Sequence, residues 1–261
     1  MPLSTWEDNE IDFLFENYST MSNKELSVLL NKKICTVKEY ARRHFLTKKY
    51  DYNQNKRIGS LANLLNETPE AYYWIGFIFA DGTLSKEGRL SVTTSWDNEH
   101  LEKLAKFLGG KVTINEKVNS PKNYIGSREI FYRVSIADVS KYYRLMTKFN
   151  IKNNKTYFPP DLMFLDEDWK FYSFLIGFID GDGNITNKSI KIINHINWRI
   201  THEYIREWLN IRNIKSSVYI DSNCDSSILF SRKFYPIMKE FIISNNIPAM
   251  ERKWKLNNVT T

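Results

Sequence analysis

The stretch FLIGFIDGDGNI, residues 174–185, opens with six residues that are apolar apart from one glycine, and then reads Asp-Gly-Asp-Gly. The apolar run predicts a buried helix, and the acidic residues fall at its carboxyl end. That end of a helix already carries the negative pole of the helix dipole. Carboxylates placed there need a compensating positive group, unless the Asp-Gly pairs only form a turn.

A second copy of this pattern, YYWIGFIFADGTL, occupies residues 72–84, and its Asp81 lies 101 residues before Asp182. Each copy precedes segments with the periodicity of strand, strand, helix, strand, strand and helix. The two halves also close on similar segments, FNIKNNKTYF and NNIPAMERKWKL. We infer an internal duplication of about 90 residues. The expected fold is α+β, with two αββαββα repeats, residues 70–160 and 161–261, that contain antiparallel sheets.

Small residues are spaced by four in both copies: Gly76 with Ala80, and Gly177 with Gly181. Residues four apart share one face of a helix, so each predicted helix offers a face that another backbone can approach closely. We expect the two helices to cross at these faces, because a duplicated chain supplies each with a matching partner. Their terminal aspartates would then lie side by side.

The end of each predicted helix indicates a metal site. Gly82 and Gly183 are expected to stop the helices at the position after the cap, where a left-handed backbone favours glycine. Two carboxylates and two helix ends form a concentrated negative site, which a hard divalent cation with oxygen ligands would neutralise. The predicted cofactor is Mg²⁺, or another divalent cation such as Mn²⁺. The predicted metal ligands are Asp81, Asp182 and the carbonyls of Ala80 and Gly181.

Several predicted strands alternate between apolar residues and polar or basic ones. Such alternation indicates a sheet with one buried face and one solvated face. A solvated face rich in Lys, Arg, Asn, Thr and Tyr suits hydrogen bonds to phosphates and base edges, although every half-buried sheet has a polar face. The strand side chains expected to contact DNA are Arg89, Thr93, Lys111, Thr113, Asn115, Lys117, Arg133, Lys191, Lys215, Ser217 and Tyr219.

Residues 1–46 read as three short helices, with Ser22 and Glu25 at the spacing of a capping box. The third, residues 36–45, has basic residues opposite its apolar stripe, which favours a helix-turn-helix module that presents this helix to DNA. A plain three-helix bundle with a solvated basic face is the alternative. The segment resembles the tryptophan-led, Myb-like modules attached to mobile-element nucleases. Residues 47–69 are the expected linker. The basic side chains expected to contact DNA here are Lys38, Arg42 and Arg43.

The composition limits the class of partner. The chain has 261 residues, a formal net charge of +7 and a pI near 9.1, a balance that favours nucleic acid or an anionic membrane. Cys35 and Cys224 lie outside any C-x-x-C pattern, so neither a disulfide framework nor a cysteine zinc site is indicated. We see no signal region and no apolar run of about 20 residues. We expect an intracellular protein without a membrane anchor, cytoplasmic or nucleoid-associated, with an organelle as the alternative.

The two copies, WIGFIFADG and LIGFIDGDG, resemble the dodecapeptide motif of LAGLIDADG homing endonucleases position for position. The resemblance implies a single-chain pseudo-dimer whose motif helices pack at its centre and whose sheets form a saddle over the DNA major groove. It also implies that Asp81 and Asp182 are the catalytic metal ligands, each serving one DNA strand. One position differs: Asp180 of the second copy corresponds to Phe79 of the first, so Asp180 is not expected to be catalytic.

Members of this family also place a basic residue near each scissile phosphate. Alignment of the last helices of the two repeats pairs Lys141 with Lys233, 92 residues apart. These lysines are therefore candidate catalytic residues. The alternative is that they are ordinary solvent-exposed side chains at the start of a helix.

The resemblance implies a monomeric, site-specific homing endonuclease of a mobile element, as in intron homing. It would hydrolyse phosphodiester bonds and leave a staggered double-strand cut in a long, pseudo-asymmetric DNA target. Two alternatives stay open: a splicing maturase of the same fold that binds intron RNA, and a non-cleaving DNA-binding transcription regulator. Retention of both Asp81 and Asp182 argues against the regulator, which is expected to have lost one or both.

Overall fold

A computed structural model describes residues 6–44, 46, 59–85, 88–118, 128–152, 154–187, 189–221, 223 and 225–256, without the side chains of 116–118 and 128–129. The chain divides into two compact units, residues 1–57 and residues 58–261. The boundary between them falls inside the segment 47–69.

The first unit contains three short helices, as the sequence predicts. They are α1 (Asp8–Asn17), α2 (Asn23–Leu29) and α3 (Ile34–Arg43). Ser22 and Glu25 form the predicted capping box, in which the Ser22 hydroxyl accepts from the Glu25 N–H at 3.0 Å. The third helix begins two residues earlier than predicted, because Lys33 is the cap and Thr36 lies within the first turn. The core of this unit consists of Leu14, Tyr18, Leu26, Leu30, Val37 and Ala41.

The second unit contains both predicted αββαββα repeats. The first consists of α4 (Pro69–Asp81), β1 (Gly82–Leu84), β2 (Arg89–Thr94), α5 (Asn98–Phe107), β3 (Val112–Val118), β4 (Arg128–Ala137) and α6 (Val139–Lys148). The second consists of α7 (Asp168–Asp182), β5 (Gly183–Thr186), β6 (Ser189–Asn194), α8 (Arg199–Ile211), β7 (Ser216–Ile220), β8 (Ser226–Phe230) and α9 (Phe234–Ser244). A short helix, α10 (Glu251–Trp254), follows the second repeat.

The two repeats have the same sheet topology. Each sheet is antiparallel and four-stranded, with the order β1-β2-β4-β3 in one and β5-β6-β8-β7 in the other. The registers match as well, because Gly82 pairs with Val92 just as Gly183 pairs with Ile192. The prediction of a duplicated α+β fold is confirmed.

Helices α4 and α7 lie in the core of the second unit and are buried along most of their length. The apolar face of each sheet packs against the same core, through residues such as Val92 and Val134 in one sheet and Ile192 and Ile228 in the other. Both helices are too short to cross a bilayer, at 13 and 15 residues. Across the described ranges, no helix combines the length and apolar character that a membrane span requires.

Candidate active site

The two motif helices cross through their glycines. A Cβ placed on Gly76 would lie 1.9 Å from the Phe174 carbonyl oxygen, and one on Gly177 would lie 1.9 Å from the Tyr73 carbonyl oxygen. Only glycine allows the two backbones to approach this closely. Near the helix ends, a Cβ on Gly181 would meet the Ala80 Cβ at 2.2 Å. The predicted crossing at the small faces is confirmed.

The ends of these helices differ from the prediction in one respect. Gly82 and Gly183 are not left-handed, because their φ and ψ angles are −72° and 141°, and −82° and 141°, which is extended backbone. Each glycine therefore leads directly from its helix into a strand. Glycine is needed for space, since a Cβ at either position would lie 2.6 Å from the carbonyl oxygen of Ile78 or Ile179. The aspartates are thus fixed between a helix and a strand.

Asp81 and Asp182 form one electronegative site. The Asp81 carboxylate lies against the other helix, with its Cγ and Oδ2 3.4 Å from where a Cβ on Gly181 would be. Both residues have solvent-exposed surface. The packed helix ends nevertheless lie close to their carboxylates and limit the hydration of these groups. This partial burial and the negative charge of Asp182 raise the pKa of Asp81 to about 6. Burial likewise raises the pKa of Asp182.

Two lysines supply the positive charge that the helix ends require, and sequence reasoning did not identify them. The Lys155 ammonium donates to the carbonyl of Phe79 at 2.7 Å and to that of Ala80. The Lys253 ammonium does the same at the end of α7. Its acceptors are the carbonyls of Ile179 at 2.9 Å, Asp180 at 2.6 Å and Gly183 at 2.8 Å. Both ammonium groups complement the negative pole of a helix.

A signal for these lysines was present in the sequence. Lys155 and Lys253 occupy the two similar closing segments, 149–158 and 245–256, which follow the last helix of each repeat. Their role could not be predicted because it depends on how each segment folds back onto its motif helix. Periodicity within the segment carries no information about that docking.

The site offers few ligands of its own for a metal. In the part of the chain that the structure describes, no group of three or more His, Cys, Asp or Glu side chains is placed to hold an ion. The two carboxylates and the Gly181 carbonyl are hard oxygen donors, which fit Mg²⁺ or Mn²⁺. The Ala80 carbonyl already accepts from Lys155, whose positive charge opposes a second cation there. The roles of the Ala80 and Gly181 carbonyls as metal ligands stay predictions.

Lys141 and Lys233 do not occupy equivalent positions. The last helices of the repeats, α6 and α9, end at Lys148 and Ser244, which are 96 residues apart rather than 92. Each is followed two residues later by an asparagine with positive φ, Asn150 (48°) and Asn246 (50°). Lys141 lies in the first turn of α6, whereas Lys233 is the cap that precedes α9. The pairing of these two lysines is wrong by one helical turn, and their catalytic role stays a prediction.

Asp180 is a buried structural acid. Its carboxylate accepts from the Tyr73 hydroxyl at 2.7 Å, from the Met250 N–H at 2.8 Å and from the Trp254 indole N–H at 2.8 Å. Burial raises the pKa of Asp180 to about 6. Phe79, at the matching position, packs against phenylalanine rings instead. The difference between the two motif copies therefore reflects a C-terminal segment that docks on α7.

The same segment also connects the two repeats. The Arg252 guanidinium forms a two-pronged ion pair with Asp97 of the first repeat, with both N···O distances at 2.7 Å. Together with the hydrogen bonds to Asp180, this ion pair makes residues 250–254 a clasp between the repeats. We refer to these residues as the C-terminal clasp.

His100 is held in its neutral form beside this network. Tyr73 donates to Asp180, so its hydroxyl oxygen accepts from the His100 Nε2–H, at 2.8 Å. Aromatic rings of Trp74 and Phe77 enclose the imidazole. Burial lowers the pKa of His100 to about 3.

This shift predicts acid sensitivity. Below pH 6.5 the unfolded chain binds a proton at His100 and the folded protein does not, so stability is lost as the pH falls from 6.5 toward 3. Between pH 7.5 and 5.0 we expect a loss of about 2 kcal/mol that a His100→Phe variant does not suffer. Urea unfolding followed by tryptophan fluorescence measures the difference. An equal loss in both proteins would contradict a neutral, buried His100.

Polar side chains cross the first sheet in one row on the face opposite the core. Thr93, Arg133 and Thr113 pair across β2, β4 and β3, and the Arg133 Nε–H donates to the Thr93 hydroxyl at 3.3 Å. Arg89 and Asn115 lie on this face too. Lys111 immediately precedes β3, and the side chain of Lys117 lies outside the description.

The second sheet presents a comparable face. Lys191 and Ser217 occupy the same row of this face, and the Lys191 ammonium lies 5.2 Å from the centre of the Tyr219 ring. Lys215 precedes β7 and is exposed. The two faces carry the side chain types predicted to contact DNA, and that contact stays a prediction.

The basic residues of α3 are exposed. Glu39 pairs with two of them, at 2.8 Å from an Arg42 nitrogen and 2.9 Å from an Arg43 nitrogen. Lys38 lies on the same helix and is also exposed. The three-helix module therefore presents the predicted cations to solvent, and its role as a DNA reader stays a prediction.

Comparison with known proteins identifies the fold. No family model matches the sequence, and no curated protein matches it. Among solved structures, the homing endonuclease I-WcaI bound to its DNA recognition sequence is similar over 84% of this chain and 92% of its own, with 18% identity and a TM-score of 0.52. I-DmoI in complex with DNA and Mn is similar over 69% of this chain and 97% of its own, with 18% identity and a TM-score of 0.45. The N-terminal LAGLIDADG domain of DUF199/WhiA is similar over 71% of this chain and 83% of its own, with 19% identity and a TM-score of 0.42. The chain therefore has the LAGLIDADG fold that it shares with the I-WcaI structure.

Proposed function

We propose that the protein is a site-specific homing endonuclease that makes a staggered double-strand cut in DNA with a divalent cation. The observation that carries this proposal is the meeting of Asp81 and Asp182 at the ends of two crossing helices. Nothing in the packing of the fold requires carboxylates there, and burial together with the charge of Asp182 raises the pKa of Asp81. Charged side chains that are unfavourable where they lie, and yet occur at the same position of both repeats, indicate a catalytic or ligand-binding role.

Asp81 and Asp182, with the Gly181 carbonyl, would hold Mg²⁺ or Mn²⁺. Such an ion, when bound, stabilises charge on a phosphate and lowers the pKa of a coordinated water. The carboxylates concentrate the negative charge that attracts the ion. Lys155 and Lys253, which lie at the same helix ends, reduce the repulsion between this acidic site and the DNA backbone. Their contacts favour them over Lys141 and Lys233 as the basic residues of the two sites.

The polar faces of the two sheets would bind the duplex on either side of the site. Arginine and threonine dominate the row on the first sheet, whereas lysine, serine and tyrosine occupy the second. Because the two faces differ, we expect a long target whose half-sites are not identical. One chain supplies both repeats, so a monomer is sufficient.

The test is cleavage of the sequence that the protein would recognise. A duplex made by joining the two DNA segments that flank its gene is incubated with the protein and Mg²⁺, and both strands are sequenced at their ends. We expect one staggered break at a fixed position, and no break with EDTA or with a duplex in which the protein's own gene still separates the two segments. Binding of this duplex without a break in either Mg²⁺ or Mn²⁺ would refute the nuclease and indicate a regulator. Selective binding of the intron transcript would indicate a maturase.

The three-helix module is proposed to bind DNA phosphates through Lys38, Arg42 and Arg43. Replacing all three by alanine should reduce the slope of log K against log salt concentration by up to about 2.7, at about 0.9 for each phosphate that the protein no longer neutralises. Fluorescence anisotropy over a salt series measures this slope. Lys106→Ala, which removes an exposed lysine of α5, is the control and should leave it unchanged. An unchanged slope in the triple variant would mean that α3 does not contact DNA.

A further inference from the structure

Within the described ranges, a chain of hydrogen bonds leads from the protein interior to the Asp182 carboxylate and not to that of Asp81. The Asn194 side-chain amide donates to Asp182 Oδ2 at 2.9 Å. Asn194 Oδ1 lies 3.1 Å from His202 Nε2, and His202 Nδ1 lies 2.8 Å from the Ser226 hydroxyl. His202 and Ser226 are completely buried. Asp182 is therefore connected by hydrogen bonds to fully buried side chains of the second repeat.

The direction of each hydrogen bond follows from its neighbours. A carboxylate only accepts, so the nitrogen of the Asn194 amide faces Asp182 and the oxygen faces His202. His202 must then donate from Nε2, which leaves Nδ1 to accept from the Ser226 hydroxyl. Burial lowers the pKa of His202 to about 4, so the ring stays neutral and can donate and accept at once. Each member of the chain has a partner of the correct kind.

The described residues of the first repeat form no counterpart to this chain. Thr94 corresponds to Asn194, since each lies two residues beyond the strand residue that pairs with the motif glycine. The Thr94 hydroxyl instead accepts from the N–H groups of Trp96 and Asp97, both at 3.2 Å. Among the residues that the structure describes, no side-chain hydrogen bond holds the Asp81 carboxylate.

We propose that Asn194, supported by His202 and Ser226, is a positioning residue for Asp182 and makes the two cleavage centres unequal. This inference rests on the proposed nuclease function. A carboxylate that is already held in one orientation loses less freedom when it engages a cation or a water molecule. The strand served by Asp182 is therefore cut faster than the strand served by Asp81. Loss of Asn194 slows the cut on that strand alone.

The test follows each DNA strand separately. The cleavable duplex carries a different fluorophore on each strand, and single-turnover rates are measured for the wild-type protein and for Asn194→Ala. The products of Asp81→Asn and Asp182→Asn assign each strand to a carboxylate. We expect Asn194→Ala to slow the Asp182 strand by about tenfold to a hundredfold and the other strand by less than twofold. Asn210→Ala, an exposed asparagine on α8, is the control and should change neither rate.

A measurement that does not depend on DNA cleavage tests the hydrogen-bond chain itself. Long-range ¹H–¹⁵N spectra of the His202 ring should show the neutral Nε2–H tautomer at pH 7, and Asn194→Ala should shift its Nε2 resonance. The Nδ1–H tautomer would overturn the proposal, and so would equal slowing of both strands by Asn194→Ala or no slowing at all. A wild-type protein that cuts neither strand would refute the nuclease function, while the tautomer would still report on the chain.

Discussion

Asp81→Asn and Asp182→Asn should each abolish double-strand cleavage and leave DNA affinity equal to or greater than that of the wild type. Asparagine keeps the shape of the side chain but removes one of the two charges that would hold the cation. We expect the affected strand to be cut on the order of 10³-fold more slowly. Binding should not weaken, because a negative charge that faces phosphates has been removed.

The measurement combines a cleavage assay with supercoiled DNA and an affinity assay on the same target. In the time that the wild-type protein needs to complete cleavage, each variant should yield a nicked circle and no linear product. Asp161→Asn is a matched control, since it replaces an exposed aspartate that precedes α7 and whose side chain accepts from the Met163 N–H at 3.0 Å. A linear product formed at the wild-type rate by either variant would refute the assignment of the two carboxylates.

The same variants should also gain thermal stability in the absence of metal. The pKa of Asp81 is raised in the folded protein, so its ionised form opposes folding at neutral pH and asparagine removes this opposition. A stability gain that accompanies a loss of activity is typical of a functional site. Scanning calorimetry of the metal-free proteins at pH 7 measures the shift, and a lower melting temperature in Asp81→Asn would contradict it.

Gly177→Ala should be strongly destabilising. The added methyl group would lie 1.9 Å from the Tyr73 carbonyl oxygen, and this atom belongs to the backbone of α4, which cannot move aside without separating the helices. We expect a loss of about 3 kcal/mol or more in the free energy of unfolding. Urea unfolding followed by tryptophan fluorescence reports mainly on the second unit, because Trp6 alone among the seven tryptophans lies in the first.

A pair of substitutions at the other end of the crossing provides the control. Gly181→Ala should also destabilise the protein, but here the obstacle is the Ala80 methyl group, at 2.2 Å. The double variant Ala80→Gly with Gly181→Ala exchanges the two side chains and should recover most of the lost stability. Gly177→Ala has no such partner to exchange. A double variant no more stable than Gly181→Ala would mean that the packing of these two helices against each other is not the cause.

Much of the fold could be predicted from local patterns. The spacing of Gly76, Gly177 and their partners gave the helix crossing, because the need for a small residue every fourth position is visible in one sequence. The αββαββα order followed from the duplication and from the change between strand and helix periodicity. The polar faces of the sheets were predictable for the same reason, since alternation is a property of neighbouring residues.

The parts of the site that depend on docking could not be predicted. Lys155 and Lys253 reach the helix ends only because distant segments fold back onto them, and the tie from Asn194 to Asp182 depends on the register of β6. The error at Gly82 has a different origin. A glycine after a helix is usually needed for its positive φ, whereas here it is needed because the helix carbonyl of Ile78 occupies the space of a side chain.

The C-terminal clasp limits how early during its synthesis the chain can complete its fold. Asp180 is buried on α7, yet two of its three hydrogen-bond donors, the Met250 N–H and the Trp254 indole, come from the clasp. A ribosome-bound chain that lacks these residues would bury a carboxylate with Tyr73 as the partner that remains. The central helix pair therefore reaches its final stability only after residues 250–254 have been synthesised.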